Sequence, residues 1–571
     1  MNIELPYKII KGILTPEQAK SELWIRRVQW KSDKDDVDFS VDAMSDKQLL
    51  ALVDTLNATE GYKGMANKLK AFVNVRSDTK HATPIKKLQL LETALVAYIG
   101  KMPSKWLYVT GHDGKLCPCY VNKVRYEPAD PRRGTEATTV ADIYYSVREE
   151  THTDSIHWSQ KDLKAGLTVV ELLSEEGYMA ETPDLNAAYE AEMKRYVDIN
   201  HLTGTQFLAS GNAKPADSYR YTVTPMVRDG EPTKVVMDDD DSEGQRDSRR
   251  STERVASSAF WDEKKKGRED DDDEDEDGTV ILPTHPYLKV FDLKAHEFVT
   301  IHVTNLTDYA YDSTLVTKLV LPQMQKDLVT ILIASSNIVL EDIVKGKTGG
   351  VVVIATGPAG VGKTLTAEVC SESIQRPLYS VQCSQLGTDE EDLEKKLQVV
   401  LNRASRWGAV LLIDEADVYV HERGTDIQQN AIVGVWLRLM EYYRGIMFMT
   451  SNRAVVIDDA IMSRATAWIR YEIPDKESLA KIWTVLSTQY KVALGAGDID
   501  TLTETYLGIS GRSVKNLLKL ARLLSAAKKT EITLELINYC AQFLDIEGKR
   551  KGDSFAMVPA NRLRAKLEAA K

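Results

Sequence analysis

Long apolar runs are missing from this chain of 571 residues. None approaches the ~20 residues that a membrane span requires, so no membrane partner is expected. The N-terminal stretch MNIELPYKIIKG has no apolar core of the kind a secretory leader needs. Cysteine is scarce: five residues, Cys117, Cys119, Cys370, Cys383 and Cys540, at scattered positions. An odd, scattered set does not make a disulfide framework, and a reducing, cytoplasmic location is expected. Cys117-Pro-Cys119, with His112 upstream, is the single close pair, and two strand cysteines explain it better than a metal site. A strongly basic domain is also absent. Net charge is −12, and residues 269–277 (EDDDDEDED) carry nine of those negatives. The remaining −3 leaves folded parts near balance, so nucleic acid is a possible but unsupported partner.

What remains is ordinary for globular protein, 43% hydrophobic and 28% charged, in a chain too long for one core. Residues 1–236 read as an α+β recognition domain. Leu88 to Tyr98 has a helical pattern, and so does Leu185 to Val197. Trp106–Thr110 and Tyr120–Tyr126 flank a Gly-His-Asp-Gly turn as a hairpin, and Ala141–Val147 reads as a strand. Residues 237–278 are polar, charged and nearly free of aliphatics, the composition of a disordered linker. Residues 279–345 supply two strand-like runs and then a helix from Gln323, after Pro322. They read as an adaptor preceding an α/β core at 346–475, followed by a helical lid at 476–548. A basic tail, 549–571, closes the chain.

The core assignment rests on GGVVVIATGPAGVGKTLTAEVC, residues 349–370. An apolar β-branched run bounded by glycine reads as a strand buried on both faces of a parallel sheet. The loop Gly357-Pro358-Ala359-Gly360-Val361-Gly362-Lys363-Thr364 follows, and a helical pattern opens at Leu365. Strand, glycine-rich loop, Lys-Thr and helix form a phosphate-binding loop. The glycines let backbone N–H groups turn inward, and the helix N-terminus adds partial positive charge. Lys363 is placed to reach β- and γ-phosphates of ATP, and the Thr364 hydroxyl to ligate Mg2+.

Four further segments complete a nucleotide site. Residues 409–413 (AVLLI) form a second buried strand ending in Asp414-Glu415-Ala416-Asp417. Asp414 is positioned to hold Mg2+, and Glu415 to act as general base on water. Ile446–Met449 forms a third strand ending in Thr450-Ser-Asn452, whose amide can orient that water. Arg464 ends a short helical stretch, Asp458–Arg464. An arginine there can supply charge only to a neighbouring subunit's γ-phosphate. Arg470 is a weaker substitute within the next strand. Arg512 opens a later helix and can reach the γ-phosphate from a lid.

GPAGVGKT, LLIDEAD, TSN, the SR of DDAIMSR and the GR of ISGRSVKN occur in this order over about residues 315–548. They resemble the AAA+ ATPase module. The phrases RPLYSVQCSQLGT, WGAVLLIDEADVYVHER and VWLRLMEYYRGIMFMTSNR resemble a largely uncharacterised bacterial and fungal clade of such ATPases. The resemblance implies a doubly wound P-loop sheet with a C-terminal helical lid. It also implies ATP and Mg2+ as ligands, Lys363 and Thr364 as Walker A, and Asp414 and Glu415 as Walker B. Asn452 becomes sensor 1, Arg464 the arginine finger and Arg512 sensor 2. A homo-oligomeric ring, usually a hexamer, acting chaperone-like on a protein recognised through residues 1–236, is implied too. A nucleic-acid-associated ATPase and a nucleotide-gated scaffold are the alternatives. One departure stands out: the loop Gln385–Glu390 lacks the aromatic step of threading unfoldases.

Overall fold

The computed structural model describes residues 44–59, 84–216, 223–238, 279–334, 350–420, 427–452 and 457–544 apart from single loop positions. Short pieces at 2–6, 36–40 and 256–257 are also described. The chain forms two compact units, Met1–Asp308 and Tyr309–Lys571. Among the described residues no helix is long and apolar enough to cross a membrane.

The first unit is α+β, built on two large sheets, with two further two-stranded pairs among the described residues. One contains the hairpin Trp106–Thr110 with Leu116–Glu127, extended by Thr138–Val147 and Glu150–Ser159. Leu91, Leu95 and Ile99, on the helix Leu88–Gly100, pack with Leu107, Val121 and Ile143 of this sheet in one buried cluster. Cys117 and Cys119 lie buried in its second strand, and burial pushes both thiols up. Among the described residues no group of three or more His, Cys, Asp or Glu is arranged to hold a metal. His112 lies outside the described residues.

The second sheet changes the expected domain boundaries. Glu231–Met237 pairs antiparallel with Tyr287–Asp292, with Val235 opposite Asp292. Leu306–Asp308 pairs with Gln206–Ala209, and Glu297–His302 pairs with Asn212–Pro215. Strands on both sides of the charged stretch therefore complete one sheet. Their buried faces, Phe207, Val235, Val290, Val299 and Ile301 among them, share one core. The expectation that 279–345 is an adaptor on the ATPase gives way to a division at Asp308, with 284–308 inside the first unit. Sheet hydrogen bonding decides it, because a strand with partners on both edges cannot belong elsewhere. Most of 237–278 and all of 549–571 fall outside the described residues. Ala256–Ser257 pairs with Thr279–Val280.

The second unit is α/β with a helical C-terminal region. Apart from four-residue helices, its elements are α1 (Gln323–Ala334), β1 (Val351–Thr356), α2 (Lys363–Ser373), β2 (Leu378–Gln382), α3 (Glu390–Arg406) and β3 (Val410–Asp414). They continue with α4 (Ile427–Met440), β4 (Ile446–Ser451) and β5 (Ala467–Arg470), and then α5 to α8. The last four are Lys476–Gln489, Ala496–Thr505, Gly511–Lys528 and Leu534–Phe543. All five strands are parallel, in the order β2-β3-β4-β1-β5. Central β1 and β4 read as continuous apolar runs because both faces are covered. Val353, Ala355, Phe448 and Ile469 meet Ala367 and Cys370 of α2 in the core. Tyr379 in β2 is buried core. α3 places Glu390, Glu391 and Asp392 in its first turn and Arg403 and Arg406 in its last, matching the helix dipole. Helices α5 to α8 hold their own core around Trp483, Leu517, Leu518 and Ile537.

Candidate functional site

In an open parallel sheet the carboxyl ends of the strands face a crevice, and ligands bind where the strand order reverses. Here β1 has β4 on one side and β5 on the other, so the loop after β1 sits at that point. The loop needs its glycines. Gly357 has φ of 143°, and a Cβ there would stand 2.1 Å from the Tyr471 carbonyl oxygen. Gly360 (φ 81°) and Gly362 (φ 109°) are also left-handed. Gly362 caps α2, so the first free N–H groups of that helix open into the loop. Thr366 Oγ1, in the first turn of the helix, receives the Tyr471 hydroxyl at 2.8 Å and ties the residue after β5 to α2.

Lys363, the first residue of α2, is 5% exposed. Its ammonium donates to the carbonyls of Gly357 (2.8 Å) and Pro358 (2.7 Å) across the loop. Burial holds its pKa below the usual lysine value, opposed by Asp414, with Arg512 adding to the depression and Asp417 opposing it. Pro358 and Ala359 lie exposed on the loop, and Val361 packs partly against the core. Leu365 is exposed, 49%, at the helix start.

Asp414 ends β3 beside the loop. Thr364 Oγ1 donates to Asp414 Oδ1 at 3.2 Å, across a sequence separation of 50 residues. A hydroxyl and a carboxylate, both hard oxygen donors, are the ligand set that suits Mg2+. The next residue, Glu415, is exposed and has φ of 57°. A left-handed non-glycine residue costs about 1–2 kcal/mol, so the surroundings must hold it. They do so from β4. The Thr450 hydroxyl donates to Asp414 Oδ1 and accepts the Glu415 N–H at 3.1 Å, while the Thr450 carbonyl accepts the Ala416 N–H at 2.8 Å. The Ser451 hydroxyl donates to Asp417 Oδ1. Asn452 follows immediately and is exposed.

The helical region reaches the same loop. Ser510 caps α7 by accepting the Ser513 N–H. The Arg512 N–H donates to the Gly360 carbonyl at 3.1 Å. A Cβ on Gly360 would stand 2.6 Å from Arg512 Cβ and 2.8 Å from Ser510 Oγ. Lid and loop therefore touch where the loop lacks a side chain.

Arg464 is placed differently. Its guanidinium donates to the Ala460 carbonyl (3.1 Å) and lies 3.8 Å from Glu441, partners in its own turn and just beyond α4. Arg470 is engaged elsewhere, stacked 3.7 Å over the Trp468 ring. In the stretch without the aromatic step, Leu386 is buried and Gly387 has φ of 84°. The Tyr419 hydroxyl lies 2.7 Å from the Gly387 carbonyl. Residues 388–389 are outside the described set.

Sequence reasoning singled out Asn452 but not the two hydroxyls before it. Their signal was present: Thr450 and Ser451 end a strand adjacent to the acidic strand end. Asp417, read only as part of the acidic run, belongs to the same set.

Residues 353–473 match the family model described as ATPase family associated with various cellular activities (AAA). The chain is 27% identical over 202 residues to Fidgetin-like protein 1 of Drosophila melanogaster, covering 32% of this chain and 37% of that protein. It is 25% identical over 248 residues to Spastin of Naegleria gruberi, covering 40% and 45% respectively. It is also 26% identical over 193 residues to ATP-dependent zinc metalloprotease FtsH 2 of Methylacidiphilum infernorum, covering 31% and 29%. Each match thus spans less than half of the relative's own length.

Proposed function

Starting from the AAA ATPase core that this chain carries, we propose that the protein is a Mg2+-dependent ATP hydrolase that remodels a protein partner as a ring-forming oligomer. One observation carries the reading. The ammonium of Lys363 and the start of α7 meet one glycine loop at the switch point of the sheet, the Thr364 hydroxyl joins that loop's helix to the Asp414 carboxylate, and Glu415 follows Asp414 directly.

Each side chain then has a task. The loop N–H groups and Lys363 hold the β- and γ-phosphates. Thr364 and Asp414 would hold Mg2+, which when bound would neutralise charge on the phosphate oxygens. Water attacks the γ-phosphorus in line, the bond to the bridging oxygen breaks, and ADP and phosphate leave. Glu415 accepts the proton from that water, and its exposure leaves it free to do so. Asn452 orients the water, and Arg512 brings positive charge from the lid. Arg464, whose partners lie away from the phosphate loop, serves the site of a neighbouring subunit. The first unit recognises the substrate. Because the loop Gln385–Glu390 offers no aromatic side chain, partner engagement through that unit is favoured over threading.

Purified protein should release phosphate from ATP with Mg2+ and stop on chelation. Glu415→Gln, holding ATP without hydrolysing it, should retain the partner on affinity capture. Phosphate release no faster than that of Lys363→Ala would overturn the reading.

A further inference from the structure

The carboxyl end of β4 does more than present Asn452. Thr450 is 2% exposed, and its single hydroxyl serves two acidic residues of the neighbouring strand end at once. Its proton goes to Asp414 Oδ1, and its lone pair receives the Glu415 N–H at 3.1 Å. The same Asp414 oxygen also receives the Thr364 hydroxyl at 3.2 Å. One residue later, Ser451, itself 1% exposed, binds Asp417 in the same direction. Glu415 stands between these two anchors in a left-handed conformation, with φ of 57°.

We propose that Thr450, backed by Ser451, is a positioning residue that locks the backbone of the general base Glu415 and joins it to the strand carrying Asn452. A glutamate does not adopt that backbone region unaided. What holds it is a hydrogen bond to its own N–H from β4 and the Ala416 N–H on the Thr450 carbonyl. Glu415 is exposed, so the backbone is the part of it that its neighbours hold. Displacement of β4 would move the water-orienting amide and the base together. A side chain that merely filled space at position 450 would need no hydroxyl.

The proposal rests on the reading of Glu415 as base in ATP hydrolysis. Thr450→Val keeps the shape and removes the hydroxyl, whereas Thr450→Ser keeps the hydroxyl and loses a methyl. Phosphate release, ATP affinity and amide exchange across residues 411–418 are measured on the full chain. Thr450→Val should lower kcat about 10- to 100-fold, the cost of a misplaced catalytic group. ATP affinity should stay within about 3-fold, because a base acts only in the transition state. Exchange of the Glu415 amide should quicken. Thr450→Ser should stay within about 3-fold of wild-type kcat. Should Thr450→Val fail to fold, Thr450→Ala carries the same expectation. Wild-type kcat in the hydroxyl-free variant, or equal losses in the Ser and Val variants, overturns the latch alone. A wild type that hydrolyses no faster than Glu415→Gln overturns the functional reading, and a Glu415 amide that exchanges equally fast in wild type and Thr450→Val overturns the latch.

Discussion

Gly360→Ala tests whether the contact between lid and phosphate loop matters to turnover. The added Cβ would stand 2.6 Å from Arg512 Cβ and 2.8 Å from Ser510 Oγ. Carbon atoms settle at about 3.5–4.0 Å, so the start of α7 must retreat by about 1 Å. That retreat stretches the 3.1 Å bond from the Arg512 N–H to the Gly360 carbonyl. A displacement of this size at a catalytic group can cost about 10²-fold. The backbone adds a separate cost, because φ of 81° in a residue with a Cβ destabilises by about 1–2 kcal/mol. Gly408→Ala isolates that second effect: Gly408 has φ of 59° and open space around its missing Cβ. Both variants should melt a few degrees below wild type. Only Gly360→Ala should lose turnover, by about 10- to 100-fold in kcat/KM for ATP. Equal kcat/KM in the two variants would refute the claim that α7 is set against the loop for catalysis.

Mixing Arg464→Ala with Glu415→Gln protein should restore hydrolysis that neither shows alone, because intact Walker residues then face an intact finger across an interface. Restoration absent at every mixing ratio, with assembly shown by sedimentation, would make Arg464 structural. Proteolysis within the charged stretch 239–278 should give two fragments on a denaturing gel that co-elute under native conditions, because strands on both sides share one sheet. Fragments that separate in native buffer would contradict that sheet. In the first unit, burial lowers His302 to about 3 and His285 to about 4 and raises Glu192, which lies 3.6 Å from His302, to about 7. The folded histidines refuse protons that the unfolded chain takes up below about 6.5, so stability falls on acidification. Glu192 acts in the opposite sense between its ordinary 4.5 and about 7, losing stability as pH rises. From pH 6.5 to 5, wild type should lose on the order of 2 kcal/mol relative to His302→Gln by pulse proteolysis. A gap independent of pH would rule out a neutral buried His302.

The nucleotide unit was legible because its signals are local. β1, its loop and α2 lie within 23 residues of one another, from Val351 to Ser373. Apolar periodicity and glycine chemistry act over that range. Asp414 and Asn452 were legible as polar residues at the ends of apolar strands. The Thr450 hydroxyl and the Gly360–Arg512 contact were not, since each joins segments separated by 35 residues or far more, and no periodicity encodes such a partner. The same physics hid the first unit's second sheet. Tyr287–Asp292 lies in a stretch that reads as strand, but Glu231–Met237 gave no such signal, and register across the intervening charged stretch is set by packing. Lys363 was read by its reach to phosphate, while its hold on the Gly357 and Pro358 carbonyls depends on the loop's curvature.

The most direct test of the central claim pairs ATP affinity with phosphate release in two variants of the full chain. Lys363→Ala removes the ammonium proposed to hold the phosphates and should lose ATP binding and hydrolysis together. Glu415→Gln keeps the loop and should bind ATP as wild type does, while releasing phosphate at least about 10²-fold more slowly. Equal loss of binding in both folded variants, or hydrolysis by Glu415→Gln at the wild-type rate, would contradict the account.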